Sequence, residues 1–267
     1  MKLGLNTNVY IDYPLHEVIR RASAMGYEGV DVARTHLCGR YREVSEEDLV
    51  RAKGASTYYG ISIYNIQGSW GPFLDVEFAK SRIELARKLD CPVVNLGAGL
   101  PYGPSDDFDD VLKKTITLLG ELRDNAKSYG IEVAVEPEVR PYLSPQTPII
   151  NRYQTYEIIL KELPGVWLVL DVEHAIVNHE NPNYVIRKYK DYIRVIHLSD
   201  TIDGLHLHLV PGRGELDFYS ILGSLIDVDY RGFISMEIYP HYREPDKAAY
   251  ESIIYTQRVI MELSGKA

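Results

Sequence analysis

Cysteine is nearly absent from this 267-residue chain. Cys38 and Cys91 are too few to frame a disulfide-stapled fold, so a reducing, cytoplasmic setting is the expected one. Blocks of lysine and arginine are missing as well. With 29 basic residues against 38 acidic ones the net charge is −9, which repels a nucleic-acid backbone, so no nucleic acid is expected as a partner. No apolar run is long enough to span a bilayer, and the opening MKLGLNTNVY lacks the apolar core of a secretory leader, so no membrane association is expected. The turn after the first apolar run reads NTNVYIDYP, not the glycine-rich phosphate loop that opens a doubly wound nucleotide-binding sheet. Low-complexity tracts and interdomain linkers are lacking too.

What is present is a regular alternation. Eight apolar, β-branched runs read as strands, at 3–8, 29–34, 61–67, 92–99, 131–138, 166–171, 193–200 and 232–239. Between them lie segments such as LHEVIRRASAMG and DDVLKKTITLLGELRDNAKSYG, whose apolar residues recur at helical steps. Gly26, Gly60 and Gly130 close helices just before the next strand, and Ser45 with Glu47 and Asp48 opens one. Eight strand–helix units without a composition shift predict a single (β/α)8 TIM-barrel domain over 1–267.

Strand side chains alternate, so parity sorts them between the barrel interior and the helix layer. In "VAVEPE" (133–138), Ala134 and Glu136 share one face while Val133 and Val135 share the other. By the same argument Asp171, His197 and Glu237 point inward near the C-terminal ends of their strands, where barrel enzymes keep their chemistry. Asn6, Asp31, Asn65 or Gln67, and Asn95 join them at similar depth. Taken singly, each is adequately read as a hydrogen-bonded barrel residue. Three carboxylates and a histidine at one mouth are better read as ligands of a divalent cation, Mn²⁺, Co²⁺, Zn²⁺ or Mg²⁺, because without one their buried charges repel.

Neighbouring residues extend the candidate site. His174, three residues past Asp171, is placed to meet substrate, a second metal or a ligand's outer side, while Glu173 reads as solvated or supporting. His206 and His208 share a side if their loop is extended, and Arg213 in PGRG offers an anion-binding fork or a plain loop cation. Trp70 in GSWGP could cap a sugar ring or pack. His16, His36, His179 and His241 show no partner pattern and read as surface or packing residues.

These residues carry a resemblance. Glu136-Pro137, the L-D-x-x-H run ending at His174, the H-L-x-D run from His197 to Asp200, the P-G-x-G turn at 211–214 and Met236-Glu237 resemble the xylose isomerase-like TIM barrels. That group holds sugar phosphate isomerases and epimerases, D-tagatose 3-epimerase, hydroxypyruvate isomerase and endonuclease IV. The resemblance implies one metal on Glu136, Asp171, His197 and Glu237, with Glu136 and Glu237 also the acid–base pair. It implies a substrate contact or a further metal for His174, and an arginine of the epimerases at Arg140. It departs from the epimerases at His208, where they have an arginine, and at Tyr142, where they have a glutamate. It departs from endonuclease IV at Gln67 or Asn65 and at Asn95, where that enzyme has zinc histidines, although His208 matches another zinc histidine and His206 stands at an aspartate ligand.

The expected function is therefore metal-dependent isomerisation or epimerisation of a small sugar or sugar phosphate through an enediolate, with a homo-oligomer, dimer or tetramer, suggested by fold analogy alone. Three alternatives stay open. The first is a two- or three-metal hydrolase or phosphodiesterase using His174, His206 and His208. The second is an inosose-type dehydratase, and the third a sugar-binding barrel without catalysis.

Overall fold

The computed structural model describes residues 1–34, 36, 45–69, 71–141, 143–239 and 243–265, so Trp70, Cys38, Tyr142 and His241 lie outside the described residues. Eight parallel strands close into a barrel: β1 (Lys2–Asn6), β2 (Gly29–Val32), β3 (Ser62–Gln67), β4 (Val93–Leu96), β5 (Glu132–Val135), β6 (Val166–Asp171), β7 (Ile193–Leu198) and β8 (Phe233–Met236). Each pairs with its neighbours in sequence, and β1 pairs with β8, so every backbone edge is satisfied. Only β6 matches the run read from sequence residue for residue. The other runs extend beyond their strands, mostly into the loops at the C-terminal mouth of the barrel.

Helices cover the outside: α1 (Leu15–Met25), α2 (Glu46–Tyr59), α3 (Val76–Leu89), α4 (Phe108–Lys127), α5 (Tyr153–Glu162), α6 (Val172–Val177), α7 (Pro182–Tyr189), α8 (Phe218–Asp227) and α9 (Pro245–Leu263). Their ends follow local chemistry. The Ser45 hydroxyl accepts from the Asp48 amide at the start of α2, and Gly26 and Gly60 take left-handed conformations at the ends of α1 and α2. Gly130 is also left-handed, but α4 ends earlier, with Ser128 as its C-cap. The outward strand faces, among them Val30, Ile66, Val94, Val133, Leu170 and Ile196, pack under the helices in one large core. Among the described residues no helix is long and apolar enough to cross a membrane.

The barrel interior is graded from apolar to polar. At its N-terminal end Tyr64 stacks on Phe233 with centroids 3.8 Å apart, beside Val93, Ala134, Val169 and Val195. Gly4 makes the room, since a Cβ there would stand 2.2 Å from the Tyr64 hydroxyl. The β2–β3 register shifts between Val30 and Asp31, skipping Tyr64, so both Tyr64 and Asn65 are interior. Above this apolar plug the lining turns polar, toward the C-terminal mouth.

Candidate active site

Glu136, Asp171, His197 and Glu237 converge inside that mouth. All four are buried, and one donor atom from each lies within 4.8 Å of the others. Asp171 and His197 come from within β6 and β7, whereas Glu136 and Glu237 are the first residues beyond β5 and β8. His197 Nδ1 is 2.7 Å from Glu136 Oε1 and also 2.7 Å from Glu237 Oε2. Its Nε2 is 2.7 Å from Asp31 Oδ2, and an ionised carboxylate only accepts, so Nε2 carries a proton. Asp31 in turn accepts from Asn65 at 2.9 Å and Ser235 at 3.1 Å. Asn95 donates to Glu136 Oε2 at 2.6 Å, and Gln67 donates to Glu237 Oε1 at 2.8 Å. Both β3 amides are thus interior: Asn65 supports Asp31 from below, and Gln67 reaches the mouth.

The donor set fits a divalent cation. A single proton on Nδ1 can serve only one of the two carboxylates that crowd it, whereas a cation serves both together with the nitrogen lone pair. Asp171 supplies a second sign. Its Oδ1 accepts the His174 amide at 2.9 Å, but its buried Oδ2 has no hydrogen-bond partner, a costly condition unless a ligand fills the gap.

The protein's own charges tell the same story. Burial pushes the Glu136 and Glu237 carboxyls up, but the adjacent His197 imidazolium outweighs it and holds both below the ordinary carboxylate range, Glu237 far below. Burial lowers the basicity of His197, yet Glu136, Glu237 and Asp31 together raise it well above the usual imidazole range. For Asp171 burial prevails and drives its carboxyl well up. The His197 imidazolium, with His174 beside it, therefore supplies the positive charge that a metal ion would otherwise bring to these carboxylates.

A second group sits beside the first. His174, reached through the Asp171-capped α6, has its Nε2 3.2 Å from His206 Nε2, which is 2.7 Å from His208 Nε2. Tyr239 completes the ring of contacts, its ring stacked on His208 and its hydroxyl 3.1 Å from His206 Nε2. Desolvation lowers His206 to about 2 and His208 to about 4, so both offer neutral nitrogens. Burial also works against protonation of His174, but Asp171 and Glu138 outweigh it and raise its pKa to about 9.

Of its two expected places Glu173 takes the supporting one, not the solvated one, and it holds this loop in place. It is fully buried, takes the Ser199 hydroxyl at 2.7 Å and the His208 amide at 2.8 Å, and also bonds the Leu207 amide. Those bonds stabilise His208 at φ +47°, a left-handed backbone. Two expectations need correction. Arg213 does not face the site: its guanidinium pairs with Glu251 on α9, because Asp200 draws the PGRG turn inward by its backbone and leaves the side chain outside. Arg140 lies beyond the pocket, in a neighbouring cavity.

The pocket above the cluster measures about 280 Å³ and is lined by Gln67, Asn95, Glu136, His174, His208 and Glu237, with Arg34, Glu138, His206 and Tyr239 also at its wall. Sequence reasoning missed Arg34 and Glu138 as site residues. Glu138 has the parity of Glu136 and could have been found that way. Arg34 lies just beyond β2, and within the 29–34 run its parity is that of the outward Val30 and Val32, so alternation pointed it away from the site. Its amide donates to Gln67 Oε1 at 3.3 Å, which turns the Gln67 amide toward Glu237.

Comparison with known proteins accords with this architecture. Residues 19–258 match the xylose isomerase-like TIM barrel family. A fructoselysine 3-epimerase from Shigella flexneri is 21% identical over 256 residues, covering 91% of each chain. An L-ribulose 3-epimerase structure superposes with a TM-score of 0.82 at 16% identity, covering 99% of this chain and 96% of the other. The IOLI protein, solved with a zinc atom, superposes with a TM-score of 0.81 at 19% identity, covering 98% of this chain and 99% of the other.

Proposed function

The chain belongs to the xylose isomerase-like TIM barrel family and is an enzyme of it, and from that premise we propose a divalent-metal-dependent isomerase or epimerase of a small sugar or sugar derivative, with Glu136 and Glu237 as its two proton carriers. The observation that carries this reading is the pair of carboxylates meeting at His197 Nδ1 from strands three places apart in an eight-stranded ring. Two carboxylates approaching one pocket from different sides are what proton removal and return at carbon require. The names of relatives, fructoselysine 3-epimerase and L-ribulose 3-epimerase, support a ketose-like substrate. Low cysteine content and acidic charge support a cytoplasmic enzyme with no nucleic-acid partner.

Glu136, Asp171, His197 and Glu237 would hold the ion. Bound there, it supplies a Lewis acid for a carbonyl and its neighbouring hydroxyl, which acidifies the C–H between them. Asn95 aims the Glu136 carboxylate and Gln67 aims that of Glu237, so each keeps a fixed direction toward the pocket. One glutamate takes the proton from carbon, and the other delivers a proton to the opposite face for epimerisation. Delivery to the adjacent carbon gives aldose–ketose isomerisation instead. His174 and Glu138, which line the pocket, would meet substrate hydroxyls.

The test is a panel of ketoses, aldoses and sugar phosphates incubated with metal-loaded protein in D₂O, read by NMR. Deuterium entering a C–H position next to a carbonyl is the expected result. Sugar binding without any exchange would reject the reading in favour of a non-catalytic barrel.

One observation favours a second reading. The three Nε2 atoms of His174, His206 and His208 form a second donor group beside the first. A two-metal hydrolase would use both groups. Two tightly held zinc ions per chain, together with phosphodiester cleavage and no C–H exchange, would establish it over isomerisation.

A further inference from the structure

Beyond Glu136 the chain leaves the active-site pocket and lines a second cavity of about 600 Å³. Pro141 lines both cavities, so they adjoin across one residue. Arg140, Arg152 and His179 are the basic residues of the second cavity, and Ser144 and Asn151 add neutral polar groups. Among the described residues neither Arg140 nor Arg152 has an ion-pair or hydrogen-bond partner for its guanidinium, whereas Arg194 and Arg213 are paired with carboxylates. Both residues are exposed, so each guanidinium meets water and can turn toward an anion in the cavity. The acidic groups nearby are few. Asp203 lines the cavity, and Glu180, which feels the charge of Arg152, accepts the Tyr153 amide at 3.2 Å.

The scaffold around these arginines is ordered by its own bonds. Asn178 donates to the carbonyls of Glu138 at 3.2 Å and Asn151 at 3.0 Å, tying the strand-five loop to the start of α5. Arg152 is the N-cap residue of α5 and provides no side-chain cap, so the cavity adjoins the positive end of a ten-residue helix. Forked guanidiniums, a helix N-terminus and hydroxyl and amide groups suit a phosphate or carboxylate.

We infer that this second cavity is an anion subsite of the same enzyme. It takes a phosphate or carboxylate carried on the end of the substrate remote from the reacting carbons, with Arg140 and Arg152 as its recognition residues. The assignment rests on the isomerase or epimerase reading above and narrows its substrate class to acidic sugar derivatives. The reach is suitable: Arg140 follows Glu136 by four positions, an extended span of at most about 14 Å. A neutral sugar fills the inner pocket alone, while an anionic derivative bridges both.

The test has two arms. Inorganic phosphate is titrated calorimetrically into the full chain, metal-free and at low ionic strength, for wild type, the Arg140→Gln/Arg152→Gln double variant and Arg213→Gln. Phosphate should bind wild type and Arg213→Gln alike, and bind the double variant at least about tenfold more weakly. Equal affinity in wild type and the double variant overturns the proposal, as does the absence of phosphate binding to wild type. In the second arm, C–H exchange in D₂O is compared for a ketose and its terminal phosphate. The phosphate ester should show a KM lower by about tenfold or more, a preference that disappears in the double variant. If phosphate binds through these arginines yet the ester has no KM advantage, the cavity serves a free anion and the substrate assignment falls. Because phosphate binding needs neither metal nor turnover, loss of all C–H exchange would reject the isomerase reading by a separate route.

Discussion

Asp31 Oδ2 lies 2.7 Å from His197 Nε2, and both side chains are wholly buried. Asn65 and Ser235 donate to the same Asp31 carboxylate, so donors from three strands set its direction. The pair directs Nδ1 of His197 toward Glu136 and Glu237. Asp31→Asn removes the charge that holds this tautomer. Metal affinity should fall by about 10–100-fold, as for other groups that orient a ligand from behind. Competition against a chelator measures this, and an unchanged affinity would detach Asp31 from the metal centre.

The two glutamates separate ligation from proton transfer. Glu237→Gln keeps a coordinating oxygen but loses the base, so C–H exchange at saturating metal should drop by about 10²–10⁴-fold while substrate affinity changes much less. His197→Ala should instead empty the site, read as lost metal by elemental analysis. Near-normal exchange in Glu237→Gln with metal bound would refute the two-glutamate mechanism.

Zinc stoichiometry addresses the three-histidine group. If His174, His206 and His208 take an ion, wild type should retain a second equivalent of zinc after desalting, and His206→Ala should lose that equivalent alone. Retention of the second equivalent by His206→Ala would place the ion elsewhere.

Asp200 is a stability prediction. Its carboxylate accepts from the backbone amides of Thr201 at 2.9 Å, Gly212 at 2.9 Å, Gly214 at 2.7 Å and Leu216 at 3.1 Å. Gly214 must be glycine for this approach, because a Cβ there would stand 2.3 Å from the Thr201 carbonyl. Asp200→Ala leaves several of these amides unpaired and should cost about 2–4 kcal/mol in urea unfolding. A loss below about 0.5 kcal/mol would show that water replaces the carboxylate there.

The inward placement of Glu136, Asp171, His197 and Glu237 is legible in the residue order alone, because strand alternation is a local property and each of the four lies in its strand or directly after it. Helix starts and stops are legible for the same reason, at Ser45, Gly26 and Gly60. A supporting role for Glu173 is legible, but its partners are not, because the Leu207 and His208 amides lie more than thirty residues away on a loop without periodicity. The outward turn of Arg213 escapes it because its direction depends on Asp200 beneath the turn and Glu251 on α9.

By itself, then, the sequence determined the eight-unit barrel and the set of side chains at its mouth, since both follow from periodicities of two and 3.6 residues. Tertiary structure alone decided which loop residues join them. It brought His206 and His208 onto His174, turned Arg213 away, and put Arg140 and Arg152 on the wall of a separate cavity. Loop directions are set by hydrogen bonds and ion pairs between distant segments, and these exist only once the barrel has closed.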